Sequence, residues 1–254
     1  MDSPWAYTHR THLRRILTTI VFGALTIYLG FKMYTPPSCF DHKQNQDEVG
    51  VDCGGACDLY CNKQVQDVQI GWARSFEVSP GWWSALAYIQ NPNFDMRTGQ
   101  TPYRMTLYDR EGSLILKREG LISINRESVV PVFVGRLNVE SRTPYRTSFE
   151  WLSPPSWYKA PKVYQVTSEE QMFAQVGGGE ELQVTMNNHE PIPLRDVSVV
   201  AIVYDTDDNA MAVSETYIDL LSARGKKRVT FSWPQAFPAP VGRAEFLPRV
   251  PAQE

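Results

Sequence analysis

Apolar positions follow two regimes along this chain. Residues 16–31 read ILTTIVFGALTIYLGF without a single charge. With Leu13 before them and Tyr34 beyond Lys32, the apolar stretch covers 13–34. As a helix it is roughly 33 Å long, about the thickness of a bilayer's hydrocarbon layer. From about residue 63 the regime changes. Short apolar runs alternate with clusters of Gly, Pro, Asn and Asp, a pattern of strands rather than helices. Candidate strands lie at 68–77, 83–90, 103–109, 114–118, 128–134, 145–152, 182–186, 197–204, 213–218 and 229–233.

The flanks orient the apolar helix. Arg10, Arg14 and Arg15 precede it, Pro36-Pro37 follow it, and Asp41, Asp47, Glu48 and Asp52 come soon after. Lys32 can carry its ammonium to the interface on its long stem. The excess of Arg before the span places residues 1–12 in the cytoplasm and the chain beyond about residue 35 outside. Trp5, Tyr7, Tyr28 and Tyr34 are candidate interfacial anchors. A cleaved signal peptide has a shorter apolar core and a small-residue cleavage site, which Tyr34-Thr35-Pro36-Pro37 does not supply. The expectation is an uncleaved signal-anchor in the cytoplasmic membrane, in contact with lipid over 13–34.

The strand region repeats itself. SALAYIQNPN and YRMTLYDREGSLIL in the first half answer to ELQVTMNNHE and VVAIVYDTDDNAMAV in the second. Asn91 precedes Tyr108 by 17 residues and Asn187 precedes Tyr204 by 17; an Asp follows each Tyr, at Asp109 and Asp205. Ile122 and Ile218 each lie 14 beyond their Tyr. Phe133 to Phe149 is 16 residues and Phe231 to Phe246 is 15. The fold expected is all-β: two tandem immunoglobulin-like β-sandwiches behind one transmembrane helix and a small disulfide-stapled loop. Its segments are a stub at 1–12, the membrane helix at 13–34, a cysteine-rich collar at 35–62, and sandwiches at 63–158 and 159–254. Pro154, Pro155, Pro161 and the aromatic residues among them form the join. Each repeated Asp is expected to accept backbone hydrogen bonds and set the following turn. Tyr108 and Tyr204 are expected to serve the fold.

All four cysteines, Cys39, Cys53, Cys57 and Cys61, fall within one short stretch. In an oxidising compartment they should form two disulfides, with three connectivities open. The spacing C-x13-C-x3-C-x3-C lacks the close pairs of most structural zinc sites. Asp41, Asn45, Glu48 and Asp52 lie in the same stretch, with Gly50, Gly54 and Gly55 permitting tight turns. Oxygen ligands on a stapled loop suit calcium; the alternative is a solvated acidic loop without metal.

Three resemblances attach to these residues. TLYDREGSLI and IVYDTDDNAM resemble the tyrosine-aspartate core of FxLYD-type domains, small immunoglobulin-like sandwiches of bacterial and archaeal envelope proteins. Met105 and Ala201 stand where that family has its leading Phe. The Asn-Pro-Asn at 91–93 resembles the signature of the late-embryogenesis-abundant type 2 sandwich. In the collar, Cys39, Asp41, Asn45, Glu48, Gly50, Asp52, Cys53, Gly54, Gly55 and Cys57 match a module of bacterial surface proteins of the form C-x-D-G-x-x-N-x-x-E-x-G-x-D-C-G-G-x-C-x-x-C. His42 stands where that module has Gly, and the last cysteine comes one residue late. The resemblances imply a fold and an envelope location, not an activity.

Composition changes this picture little. A net charge of -3 over 254 residues gives no footprint for nucleic acid. The four histidines are scattered, and no HExxH, GxSxG, P-loop or GxGxxG motif occurs. Gly177-Gly178-Gly179 reads as a turn. Trp82 and Trp83 cannot both point inward on a regular strand. They are therefore candidate binding residues, against the alternative that the tryptophans fill the cores. The expectation is a non-enzymatic protein that binds or scaffolds another envelope or membrane protein; the alternative is a glycan- or surface-binding module using Trp82 and Trp83.

Overall fold

The computed structural model describes residues 4–34, 38–45, 47–126, 129–160 and 164–251, with backbone alone for 4–11. The side chains of Trp5 and Tyr7, and Pro36, Pro37 and Pro161, lie outside the described residues. The chain divides into two compact units, Met1–Ala56 and Cys57–Glu254. The boundary falls inside the cysteine-rich stretch.

In the first unit, helix α1 spans Pro4–Met33. It begins before the 13–34 expected to cross the membrane, so residues 4–12 of the expected stub continue the same helix. Pro4 suits a first helical position, where a missing N–H costs nothing. The part His12–Met33 is long and apolar enough to cross a membrane, and none of it is buried. Three of its threonines spend their hydroxyls on the preceding turn: Thr18 and Thr19 donate to the Arg15 carbonyl at 2.8 and 2.9 Å, and Thr26 to the Gly23 carbonyl at 2.9 Å. Those internal bonds suit a helix in lipid, where no water would take them.

The second unit is mostly β. Its first strands are β1 (Gln69–Ser79), β2 (Trp82–Gln90), β3 (Met96–Thr98), β4 (Thr101–Tyr108), β5 (Leu114–Ile122), β6 (Val129–Asn138), β7 (Arg146–Trp151) and β8 (Trp157–Lys159). The remainder are β9 (Val166–Val176), β10 (Gly179–Asn188), β11 (Leu194–Asp205), β12 (Ala210–Leu221), β13 (Lys226–Trp233) and β14 (Val241–Arg249). The pairing diagram occurs twice. Sheets β1-β2-β6 and β5-β4-β7 are followed by sheets β9-β10-β13 and β12-β11-β14 with the same connectivity. Every expected strand is present. Four others, β3, β8, β9 and β14, were not read from the sequence. Within the expected join, β8 pairs with β3, and the Tyr60 amide donates to the Trp157 carbonyl at 2.8 Å.

Each pair of sheets encloses a core. Ala85, Ala87 and Ile89 of β2 meet Met105 and Leu107 of β4 in the first; Leu182, Val184 and Met186 of β10 meet Val199, Ala201 and Val203 of β11 in the second. The Asp after each repeated Tyr sets its hairpin as expected. Asp109 Oδ1 accepts the Ser113 amide at 2.7 Å, and Asp205 Oδ1 accepts those of Asp207 and Asn209 at 2.9 and 2.8 Å. Gly177 and Gly178, with φ of 60° and 87°, form the β9–β10 turn.

Two details of the repeat differ from the spacing count. The buried mate of Asn91 is Asn188, not Asn187. Asn91 Oδ1 accepts the Asn93 amide and Asn188 Oδ1 accepts that of Glu190, each at 2.9 Å. The second copy is one residue shorter between this asparagine and its Tyr. Phe133 and Phe231, equated by spacing, face different places: Phe231 fills the second core, whereas Phe133 packs outside the first.

What Phe133 packs against is a third apolar cluster. Phe76, Leu86, Val200, Ile202, Tyr204 and Val213 are buried together, with Trp72, Tyr88, Phe133 and Leu247 against them. The outer face of β1-β2-β6 is thus laid on the outer face of β12-β11-β14. The central strands of the two middle sheets are buried on both sides. Burial of β2 is continuous from Ser84 to Ala87, and that of β11 from Val197 to Tyr204. The two outermost faces stay polar. On β4, Arg104 pairs with Glu119 at 2.7 Å and Glu150 at 3.0 Å. On β10, Gln183 donates to Glu181 at 2.7 Å.

One carboxylate sits within this seam. Glu245 accepts the Tyr88 hydroxyl at 3.1 Å and the Tyr204 hydroxyl at 2.8 Å, while the Arg243 guanidinium lies 3.7 Å over the Tyr204 ring. Tyr108, at the matching place in the first copy, has no seam to face. It lies under the Arg146 guanidinium at 4.2 Å.

Position in the stack therefore decides the cost of a substitution. Leu86→Ala is expected to lower unfolding free energy by about 2–5 kcal/mol, and Arg104→Ala by about 1 kcal/mol or less, in denaturant titrations of the purified chain. A second expectation concerns pH. Burial first, then Glu245, pushes the Tyr88 hydroxyl up to about 12 from 10.0 and raises that of Tyr204. The neutral phenols are favoured by folding, so their contribution is complete below pH 10 and lost as pH rises through the folded value. Stability should fall between about pH 10 and 12, and less steeply in Tyr88→Phe; equal slopes would refute this role.

Candidate functional site

The residues singled out in the sequence fall in two places. The first is the collar. Of its residues, all four cysteines are disulfide-bonded. Asp52 accepts the Asp41 amide at 3.0 Å and the His42 amide at 3.0 Å, and His42 Nδ1 lies 3.2 Å from the same carboxylate. Asp41 accepts the Lys43 amide at 3.0 Å and the Asn45 side-chain amide at 2.8 Å. Glu48, buried, accepts the Asn45 amide at 3.1 Å. His42 has φ 59°, a left-handed conformation that favours Gly. Gly55 is fixed by space as well: a Cβ would stand 2.0 Å from the Asp47 carbonyl oxygen.

Asp41, Glu48 and Asp52 are thus brought together as acceptors for the loop's own N–H groups, two of which Asn45 supplies. Asn45 Oδ1 is shielded and has no hydrogen-bond donor among the described residues. It is the atom that best fits a hard cation such as calcium, which would add its charge to a loop whose other acceptors are already engaged. Because internal donors and the disulfides hold the loop, chelation is expected to leave the melting temperature of the purified chain unchanged. A drop reversed by added calcium would instead place an ion at this loop.

The second place is a cleft of about 590 Å³ in the seam. It is lined by Trp82, Trp83 and Ser84 of β2, Phe133, Gly135 and Arg136 of β6, and Ser214, Glu215 and Tyr217 of β12. Trp82 and Trp83 diverge as successive residues of a strand must. Trp83 packs against the first core, whereas Trp82 is 45 % exposed. Of the two, Trp82 is free to meet a ligand, and Trp83 supports the wall. Among the other described tryptophans, Trp157 and Trp233 are buried, Trp72 stacks on Tyr88 at 5.4 Å, and Trp151 packs edge-on against Phe149 at 4.9 Å.

Three cleft residues were not singled out in the sequence. Tyr217 is 66 % exposed and donates its hydroxyl to Glu215 at 3.0 Å. Burial pushes the Glu215 carboxyl up, against the lowering effect of the Tyr217 hydroxyl. Arg136 sits in a β-bulge: the register of β2 against β6 shifts between Trp83 and Ala85, and Arg136 takes φ 56°. Such bulges re-aim a side chain, and a non-glycine residue at positive φ stores strain often found at functional sites. Gly135 inside a strand was the available sign of it. Tyr217 and Glu215 gave none, since an alternating strand reads alike whether its exposed face meets solvent or a cleft. The cleft offers aromatic faces, hydroxyls, a carboxyl and a guanidinium, a set for recognition by stacking and hydrogen bonding.

No protein-family model matches the chain, and no curated protein sequence does. Among solved structures, a transglutaminase of red sea bream aligns over 74% of this chain and 29% of its own length, at 13% identity and a TM-score of 0.27. The chain therefore spans under a third of that protein, and the score is too low to carry an argument.

Proposed function

We propose that this chain is a non-enzymatic recognition protein of the cell envelope, anchored by α1 and folded outside the cytoplasm. In this reading the β region is two tandem immunoglobulin-like sandwiches, welded into one rigid body. Its partner is another envelope or membrane protein. The single observation that carries the proposal is the seam cleft, because exposed Trp82 and Tyr217 come from different β sets and meet one opening only through the weld. A rigid aromatic surface with a few polar groups is what binding energetics favour, since little side-chain freedom is lost on association. The two carboxyls nearby are held by tyrosine hydroxyls, Glu245 by two and Glu215 by one, an arrangement for fixing structure rather than moving protons.

The disulfides support an oxidising compartment for residues beyond α1. The arginines on the other flank support an N-in orientation in the cytoplasmic membrane. The doubled pairing diagram supports the tandem-sandwich reading.

Photo-crosslinking amino acids placed in intact membranes at three exposed positions, Trp82, Tyr145 and Met172, test the proposal. A discrete adduct with another protein is expected from at least one position; only the uncrosslinked chain at all three contradicts it. A reporter fused at the C-terminus that folds only outside the cytoplasm should be active, and an inactive one reverses the orientation.

A further inference from the structure

The cleft lies between two strands that are each last in their sheets, β6 and β12. Along β12 the pairing with β11 is uninterrupted from Ser214 to Tyr217. No strand is hydrogen-bonded to the opposite edge of that stretch among the described residues; β13, of the facing sheet, runs near it without pairing. Val213 turns its carbonyl to this edge, where it accepts the Trp233 indole N–H at 3.2 Å. Backbone groups alternate in direction along an antiparallel strand, so the main-chain N–H and C=O groups of Glu215 and Tyr217 point the same way.

We infer that this edge and the cleft together hold an extended segment of a partner polypeptide. The segment pairs with the main chain at Glu215 and Tyr217, and an apolar side chain of it enters the opening beside Trp82. A row of unpaired main-chain donors and acceptors next to an apolar opening is the arrangement for adding a strand: the backbone gives affinity and the opening reads side chains. A sugar would use the aromatic faces but leave the edge unpaired, and so the edge favours a peptide. Glu215 and Arg136 give the opening opposite charges, which suits a segment with one basic and one acidic residue. This inference rests on the recognition reading above and adds the class of ligand and its place.

The test is selection from a displayed library of short linear peptides on the detergent-solubilised full-length chain, followed by binding of the enriched peptides made synthetically. Each is also made with backbone N-methylation at alternate residues, in both registers, and a glycan panel is run in parallel. Binding is expected to weaken by about tenfold or more in Trp82→Ala and in Tyr217→Ala. Both side chains are exposed, so an unchanged melting temperature verifies that each variant is folded. N-methylation in one register should abolish binding and in the other leave it intact. Indifference to N-methylation in both registers overturns the strand addition. Failure to enrich any peptide, or glycan binding lost in Trp82→Ala, overturns the ligand class. Peptides that bind Trp82→Ala and Tyr217→Ala as well as the wild type overturn the site alone, because membrane crosslinks at Tyr145 or Met172 would still stand for recognition elsewhere.

Discussion

Two strands in this protein, β2 and β11, are buried on both faces along most of their length, and much of the β region follows from that. A sheet covered on one side alternates apolar and polar residues, whereas one covered on both must be apolar throughout. β2 and β11 meet the second condition; β4 and β10, at the corresponding places in the other copy, meet the first. The difference sets the stacking order, with β1-β2-β6 against β12-β11-β14 inside and polar faces outside. The contact joins unlike faces of the two copies. Such a head-to-tail contact can in principle extend without limit. The ion pairs of Arg104 on one end and the Glu181–Gln183 pairing on the other make these outer faces largely polar, with Leu121 and Met172 as exposed apolar residues among them.

The seam also fixes chemistry. Burial of Tyr204 beside Glu245 follows from stacking; its counterpart Tyr108 keeps the same hairpin but no such partner. One tyrosine position thus serves the hairpin in both copies and the seam in only one. The cleft is a by-product of the same contact, opening where the faces diverge near the β1–β2 turn. Its walls are as rigid as the sheets beneath them, and the bulge at Arg136 adds the one strained residue along that wall.

Much of this was legible in the sequence. The apolar helix, the strand regions and the Asp-set hairpins followed from periodicity and turn chemistry. The seam was written there too, in a form easily missed. ALAYI and VSVVAIVY are continuous apolar runs, while TPYRMTLY and ELQVTM carry a charged or amide residue on the second face; comparison of the copies position by position separates them. Strands β9 and β14 escaped because VTSEEQMFAQV and VGRAEFLPR are edge strands with charges on the apolar rhythm. The one-residue shortening between Asn188 and Tyr204 was hidden by the adjacent Asn187, which supplied a match of equal spacing. Of the cleft, only the divergence of Trp82 and Trp83 was readable. Tyr217 and Arg136 enter it through a contact between residues far apart in the chain, which no local pattern records.

If the seam is a true core, the two β sets unfold as one. Hydrogen exchange resolved by segment along a denaturant series measures this directly. The amides of β2, β4, β10 and β11 should lose protection together, in a single transition with one dependence on denaturant. Two separated transitions, with one copy keeping its protection after the other has lost it, would contradict the account and reduce the seam to a weak contact between independent domains.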